Sequence, residues 1–408
     1  MIDYRLKRDN AWTPELRTTV FLGFLLRLLV LLLITVALND VWDLYFIEDD
    51  KKFEELAAIY RANANGVLDW ELFEDLTIGY MQRFWPFVIC VSTKLFGYLY
   101  TGRVINIILS TICIPITYRL CYEVSENEKT ALTAARLFAY LPFPILVSCF
   151  PIKDIYIMMA IMYAFYIFVR VQSGRKVSAF QYLLLIALLV GVYLSRGAVT
   201  ELMLIFFLIY YLQKLYREKK YLATLLLLMG AAVIFVAFRS AILSSFETKV
   251  DDYGNYYAEE ASGLNALRVT SMADIYKLPL AYAYSMLQPM KLELFAIASD
   301  TRPWRTAMAY ANMTMYPVAV GAWLYMFSKK HNLFFWLSSF AMFSAVIMLS
   351  LGVFRHYLFM LPIHMINFSL YMEKTNERFK NRRGLIIIGT FALLVLVFCY
   401  SLVKLLEF

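Results

Sequence analysis

An all-α, polytopic integral membrane protein is the fold class the sequence predicts, and three observations predict it. Apolar residues make up 61% of the 408-residue chain and charged residues only 17%, which is more apolar surface than a soluble domain can hide. Those residues are gathered in runs long enough to cross about 30 Å of hydrocarbon. Lysine and arginine fall in short blocks at every second connection between runs, the pattern that sets orientation in a bilayer.

Taken in order, the runs predict about 11 transmembrane helices, within a range of about 10–13. They are expected near Thr18–Leu38, Tyr100–Cys121, Thr130–Ser148, Ile155–Arg170, Phe180–Leu194, Ala198–Leu212, Tyr221–Leu243, Thr306–Phe327, Leu333–Gly352, His356–Met372 and Gly384–Leu402. With the N-terminus in the cytoplasm, the inner segments hold Arg5, Lys7, Arg8 and Arg17, then Arg119, Lys129 and Arg136. Arg170, Arg175 and Lys176 follow, then Lys214, Arg217, Lys219 and Lys220, then Lys329 and Lys330, and last Lys374 to Arg383. A span at Tyr80–Leu99 would put the later blocks out of phase, so that run is read as a helix lying at the membrane interface.

Two long segments then fall outside, a first outer loop over 39–99 and a second over 244–305. The first opens on Asp40, Asp43, Glu48, Asp49 and Asp50, and continues in a helical pattern with Phe53, Leu56, Ala57 and Tyr60 on one face. That face is expected to lie against the membrane. One membrane domain over 1–408 is the simplest organisation, with an N-terminal module over 18–200 and C-terminal helices over 201–408.

Composition also excludes classes. The net charge of +8 sits in topogenic blocks, so no nucleic-acid partner is expected. The five cysteines form no CxxC pair and are read as buried free thiols. Three histidines, His331, His356 and His364, are too few for a histidine-rich zinc site. The first apolar run lacks a small-residue cleavage site and is read as a retained span. Arg27 falls near the middle of that span, where a charge costs about 2.5–3.5 kcal/mol on insertion scales. It is expected to face the bundle interior and to have a structural partner.

The expected topology brings distant polar residues to the outer face: Glu48, Asp49 and Asp50; Lys153 and Asp154 in a short turn; Arg196; Arg302 and Arg305; and Arg355 with His356. Carboxylates beside fixed cations suit an enzyme that uses a phosphate-bearing donor. The acid deprotonates or orients an acceptor, and the cations Lys153, Arg196, Arg302, Arg355 and His356 hold the leaving phosphate. The bland reading is a set of solvated charges at helix ends, which suffices for Lys51, Lys52, Asp251 and Asp252. Lys153 and Asp154 are read either as a pair with each other or as a working site.

These residues resemble the GT-C superfamily of membrane glycosyltransferases, the relatives of protein O-mannosyltransferases and aminoarabinose transferases. The resemblance runs from Asp49-Asp50-Lys51-Lys52-Phe53 with Ala57, through Phe96-Gly97, Arg103 and Asn106, and the Ala131–Pro142 stretch. It continues in Lys153-Asp154 and ends on Arg355-His356-Tyr357 before Leu361-Pro362, where His356 departs from the family's Arg-Tyr pattern. It implies a GT-C-like fold and an inverting transferase. The donor would be a polyprenyl-phosphate sugar and the acceptor a glycan, lipid or protein, in cell-envelope polysaccharide synthesis. Asp49 would be the general base, Asp50 its neighbour and Asp154 the second-loop acid, with Lys153 on the phosphate. Some relatives place a divalent metal ion between such acids, here Asp49 and Asp50, and others do not. The setting implied is the bacterial cytoplasmic membrane, with the active face extracytoplasmic and membrane lipids all around. Two alternatives stay open. A polysaccharide polymerase would depend on Arg196, Arg302 or Arg355 rather than Asp49. A lipid-linked glycan transporter would need charges within its spans.

Overall fold

The computed structural model describes residues 12–38, 48–63, 66–77, 83–230 with 233 and 236, 303–326, 358–373 and 379–406. Every regular element among them is a helix, and no strand occurs there. The chain divides into two compact units, one of Met1–Ser195, Leu287–His331 and Leu358–Phe408, the other of Arg196–Met286 and Asn332–Tyr357.

Helix α1, Pro14–Leu32, starts on Thr13, whose hydroxyl accepts from the Leu16 amide (3.2 Å), and on Pro14, whose missing N–H is no loss there. Its last turn widens into a π-helix over Leu33–Ala37. The next elements form in the first expected outer loop: α2 (Glu48–Ala62), α3 (Trp70–Leu76) and α4 (Phe84–Phe96). Then come α5 (Thr101–Ser125), α6 (Glu128–Tyr140), α7 (Pro142–Ser148), α8 (Asp154–Gln172) and α9 (Ala179–Arg217). A shorter α10 spans Tyr221–Gly230, and α11 (Pro303–Met313), α12 (Tyr316–Met326), α13 (Leu361–Glu373) and α14 (Phe379–Leu406) complete the described elements.

The first unit is organised around Arg27, whose side chain is wholly buried. Leu141 is extended (φ −68°, ψ 139°) and bends α6 from α7. Pro142 has no N–H to offer the Phe138 carbonyl, and the bend deprives Ala139 of its helical donor as well. Arg27 supplies both: Nη2 donates to Phe138 O (3.0 Å) and Nη1 to Ala139 O (3.1 Å). Nη1 also donates to Gly23 O (2.9 Å) and Nε to the Ser110 hydroxyl on α5 (3.0 Å). The expected interior placement of Arg27 is therefore what the structure has, with backbone carbonyls as its partners. Gly23 lets α1 come this close, since a Cβ there would lie 3.2 Å from that of Ala139 and 2.7 Å from Ile114.

Cross-contacts give the directions of the helices. Arg119 stacks on Trp12, Ile114 meets Gly23 and Ser110 meets Arg27, so α5 runs antiparallel to α1. Asn106 reaches the residues just before α8, and Glu123 pairs with Arg175 just after it (2.8 Å), so α5 and α8 run the same way. Tyr156 donates to Leu188 O (2.9 Å) and Tyr163 to Gln181 O (3.5 Å), which sets the first half of α9 antiparallel to α8. One end of the first unit thus gathers Arg17, Arg119, Lys129, Arg175 and Lys176, and the other gathers α2 and the starts of α5 and α8.

Five described helices are long and apolar enough to cross a membrane: Pro14–Ala37, Thr101–Ser125, Asp154–Gln172, Ala179–Gly197 and Arg382–Cys399. The α6–α7 pair, bent by 52°, adds a sixth if it is one span. Several expected spans differ. Phe180–Leu194 and Ala198–Leu212 fall in α9 on either side of a kink at Arg196, within the turn expected between them. Thr306–Phe327 is broken into α11 and α12 at Thr314 and Met315, just before Pro317. Tyr221–Leu243 is described as a continuous helix only over α10, and Leu333–Gly352 lies outside the described residues. The Tyr80–Leu99 run contains α4, whose 13 residues make it about 20 Å long and too short to span. Cys90, Cys113, Cys121 and Cys149 are buried free thiols as expected, but Cys399 is exposed on α14.

Replacing Arg27 by Leu leaves the Phe138 and Ala139 carbonyls without donors in an apolar interior. Stability is expected to fall by roughly 2–5 kcal/mol, read as a lower unfolding temperature in detergent with insertion intact. A variant as stable as the parent yet inactive would contradict this structural role.

Candidate functional site

The face of α2 expected against the membrane packs instead inside the protein, on α4 and α5: Phe53 is 5% exposed, Leu56 9%, and Ala57 and Tyr60 0%. Two acids share that face. Asp50 is fully buried, and its carboxylate accepts the Lys51 amide (3.0 Å). Glu54, one turn on, receives Arg103 from the first turns of α5, Nε on Oε1 (2.7 Å) and Nη2 on Oε2 (2.9 Å). Both side chains of this pair are completely buried. The parallel fork gives it direction as well as attraction, and the Tyr100 and Phe150 rings flank the guanidinium at 5.1 and 5.8 Å.

The far end of α2 is fastened too. The Tyr60 hydroxyl donates to Val67 O (3.0 Å) and accepts the Asp69 amide (2.8 Å), and Asp69 caps α3 at Leu72 (3.1 Å). Arg61 donates to the carbonyl of Gly97 (2.8 Å), the left-handed residue (φ 67°) that ends α4. Trp70 and Phe73 pack on Phe87 of α4 at 5.6 and 5.2 Å. Burial pushes the Cys90 thiol of α4 up to about 12, which keeps it protonated and unreactive.

The turn from Phe150 to Asp154 is held from two sides. Asn106, one turn beyond Arg103 on α5, donates to both Phe150 O (2.6 Å) and Ile152 O (2.8 Å). Trp85 of α4 donates its indole N–H to Pro151 O (2.8 Å). Three consecutive carbonyls of a non-helical stretch thereby have donors, as buried backbone requires. The turn delivers Lys153 to the start of α8 and Asp154 to its first position. Asp154 is only 1% exposed there, and the helix N-terminus favours its negative charge. Partial burial holds the nearby Tyr98 phenol above its ordinary range, with Tyr100 adding to the shift and Arg103 opposing it.

Of the residues the sequence singles out, Asp50, Lys153 and Asp154 come to one end of the first unit. Glu54, on the same helix as Asp50, pairs with Arg103, Arg103 lies over the Phe150 ring, and Asn106 holds the turn that precedes Lys153. Asp49 lies in the first turn of α2, and its side chain is outside the described residues. Arg196 opens the second unit as the one non-helical residue of α9 (φ −165°, ψ 77°). Arg302, Arg355 and His356 lie outside the described residues. Glu54 is the residue the sequence reading missed. Its signal was present: it stands four residues after Asp50 and next to Phe53, on the apolar face read as lying against the membrane.

Among the described residues, no group of three histidine, cysteine, aspartate or glutamate side chains is placed to hold a metal ion. Both Glu54 oxygens are engaged by Arg103. Compared with protein-family models, with curated proteins and with solved structures, the chain matches none.

The clamp is open to a direct test. Asn106→Leu removes the two N–H groups that Asn106 gives the turn; the Phe150 carbonyl keeps the Ile152 amide (2.8 Å), while the Ile152 carbonyl loses its side-chain donor, at about 1–3 kcal/mol. Hydrogen exchange is expected to rise at 150–155 while the middle of α5 stays protected. Unchanged protection of that turn would show that Asn106 does not hold it.

Proposed function

We propose that the chain is a membrane glycosyltransferase of the GT-C type. It transfers a sugar from a polyprenyl-phosphate donor to a glycan, lipid or protein acceptor, at the extracytoplasmic face of a bacterial cytoplasmic membrane, in cell-envelope polysaccharide synthesis. The observation that supports this most is the gathering of the acids of α2 with Lys153 and Asp154 at one end of the first unit. The opposite end of that unit carries the basic residues expected in the cytoplasm.

In the reaction, a first-turn carboxylate of α2 accepts the acceptor hydroxyl proton as that oxygen bonds to the sugar C1. The bond from C1 to the phosphate oxygen breaks, its electron pair leaves with the polyprenyl phosphate, and the anomeric centre inverts. Asp49 is the base in this reading. Asp50, buried against the helix contacts, is a positioning residue that holds the first turn of α2. Lys153 meets the charge on the leaving phosphate, and Asp154 orients Lys153 and the start of α8. The Glu54–Arg103 pair is electrically neutral as a unit. Its work is to fix α2 against α5.

The assay is transfer from a panel of polyprenyl-phosphate sugars in membranes containing the full chain. Asp49→Asn is expected to lower kcat by roughly a hundred- to ten-thousand-fold, with donor binding near normal. Lys153→Ala is expected to raise the donor KM by about tenfold. Full activity in Asp49→Asn removes the general base and ends this reading. In intact cells, an impermeant thiol reagent should label Val67→Cys and spare Lys176→Cys; the reverse pattern would invert the orientation.

A further inference from the structure

A second polar feature lies away from the acid cluster, on the flank of the first unit between α1 and α6. It is a cleft of about 400 Å³ lined by Pro14, Glu15, Thr18, Thr19, Leu22, Arg136 and Tyr140. The two threonine hydroxyls are already occupied, Thr18 donating to Pro14 O (2.9 Å) and Thr19 to Glu15 O (2.8 Å). The Glu15 carboxylate and the Arg136 guanidinium make no hydrogen bond or ion pair among the described residues, although they line the same cleft. One anion and one cation, both on exposed side chains, that share a hollow and do not close on each other complement a ligand with the opposite two charges.

Above the cleft, Leu22, Leu25 and Leu29 follow Thr18 at helical spacing, and they are 43%, 37% and 54% exposed. From Thr18 to Leu29 the helix rises about 16 Å, close to the roughly 15 Å of hydrocarbon in one leaflet. The flank thus has a charged seat at headgroup level and an apolar track the length of an acyl chain. An arginine serving only as an interfacial anchor needs neither the hollow nor the carboxylate.

We propose that this cleft is a binding site for an aminophospholipid of the surrounding bilayer, of the phosphatidylethanolamine class. The phosphate is received by Arg136 and the primary ammonium by Glu15. The chemistry discriminates among headgroups. A quaternary ammonium has no N–H for Glu15, and a glycerol headgroup brings no cation at all. Neither residue belongs to the acid cluster, so the site stands whether or not the proposed transferase activity does.

The test is native mass spectrometry of the full-length protein released from vesicles containing equal parts of phosphatidylethanolamine, phosphatidylcholine and phosphatidylglycerol. Phosphatidylethanolamine is expected to be retained about tenfold over the other two. Glu15→Gln should abolish that preference while retention of phospholipid continues. Arg136→Ala should lower retention of all three, with Arg136→Lys restoring part of it. Equal retention of the three lipids by the parent, a preference for phosphatidylglycerol, or an ethanolamine preference that survives Glu15→Gln would overturn the proposal.

Discussion

A guanidinium with no exposed surface stands where α1, α5 and α6 meet, and the geometry of the first unit follows from how it is satisfied. Placing Arg27 at the centre of an apolar helix costs about 2.5–3.5 kcal/mol on insertion scales. The offset comes from the Ser110 hydroxyl and three backbone carbonyls. Two of those carbonyls exist as acceptors only because Leu141 and Pro142 break the α6–α7 run. The break and the buried charge therefore need each other. Without Arg27 the bend leaves orphaned carbonyls in an apolar medium, and without the bend Arg27 lacks two of its four partners.

The acid-bearing end inherits its shape from that junction. The Cys149 thiol donates to the Arg27 carbonyl at 3.6 Å, and the chain then enters the turn whose carbonyls Asn106 and Trp85 capture. Arg103, one turn earlier on α5 than Asn106, takes hold of α2 through Glu54. A single stretch of α5 thus fixes both the helix that bears Asp49 and Asp50 and the turn that presents Lys153 and Asp154. An isolated buried ion pair adds little net stability over an apolar one, but a bidentate pair between two helices fixes their register. Precise placement is what general-base chemistry asks of a scaffold.

Much of this was legible in the sequence because hydrophobic period and charge sidedness are local signals. The apolar runs of α1, α5 and α8, the amphipathic pattern of α2 and the interior position of Arg27 all follow from residues near one another in the chain. The features that escaped depend on partners distant in sequence or on a single residue's backbone. The break before Pro317 was masked by the unbroken apolar character of Thr306–Phe327. Glu54 looked like one more charge in a charged helix, and its role appears only once Arg103, 49 residues away, is folded onto it.

Structure determination by cryo-electron microscopy of the full chain in nanodiscs loaded with a polyprenyl phosphate tests the central claim most directly. The account requires phosphate density against Lys153, at the end of the first unit where α2, α5 and α8 begin, with Asp49 facing the same space. Phosphate bound at the opposite, basic end, or an Asp49 carboxylate turned away from the bound headgroup, would contradict it.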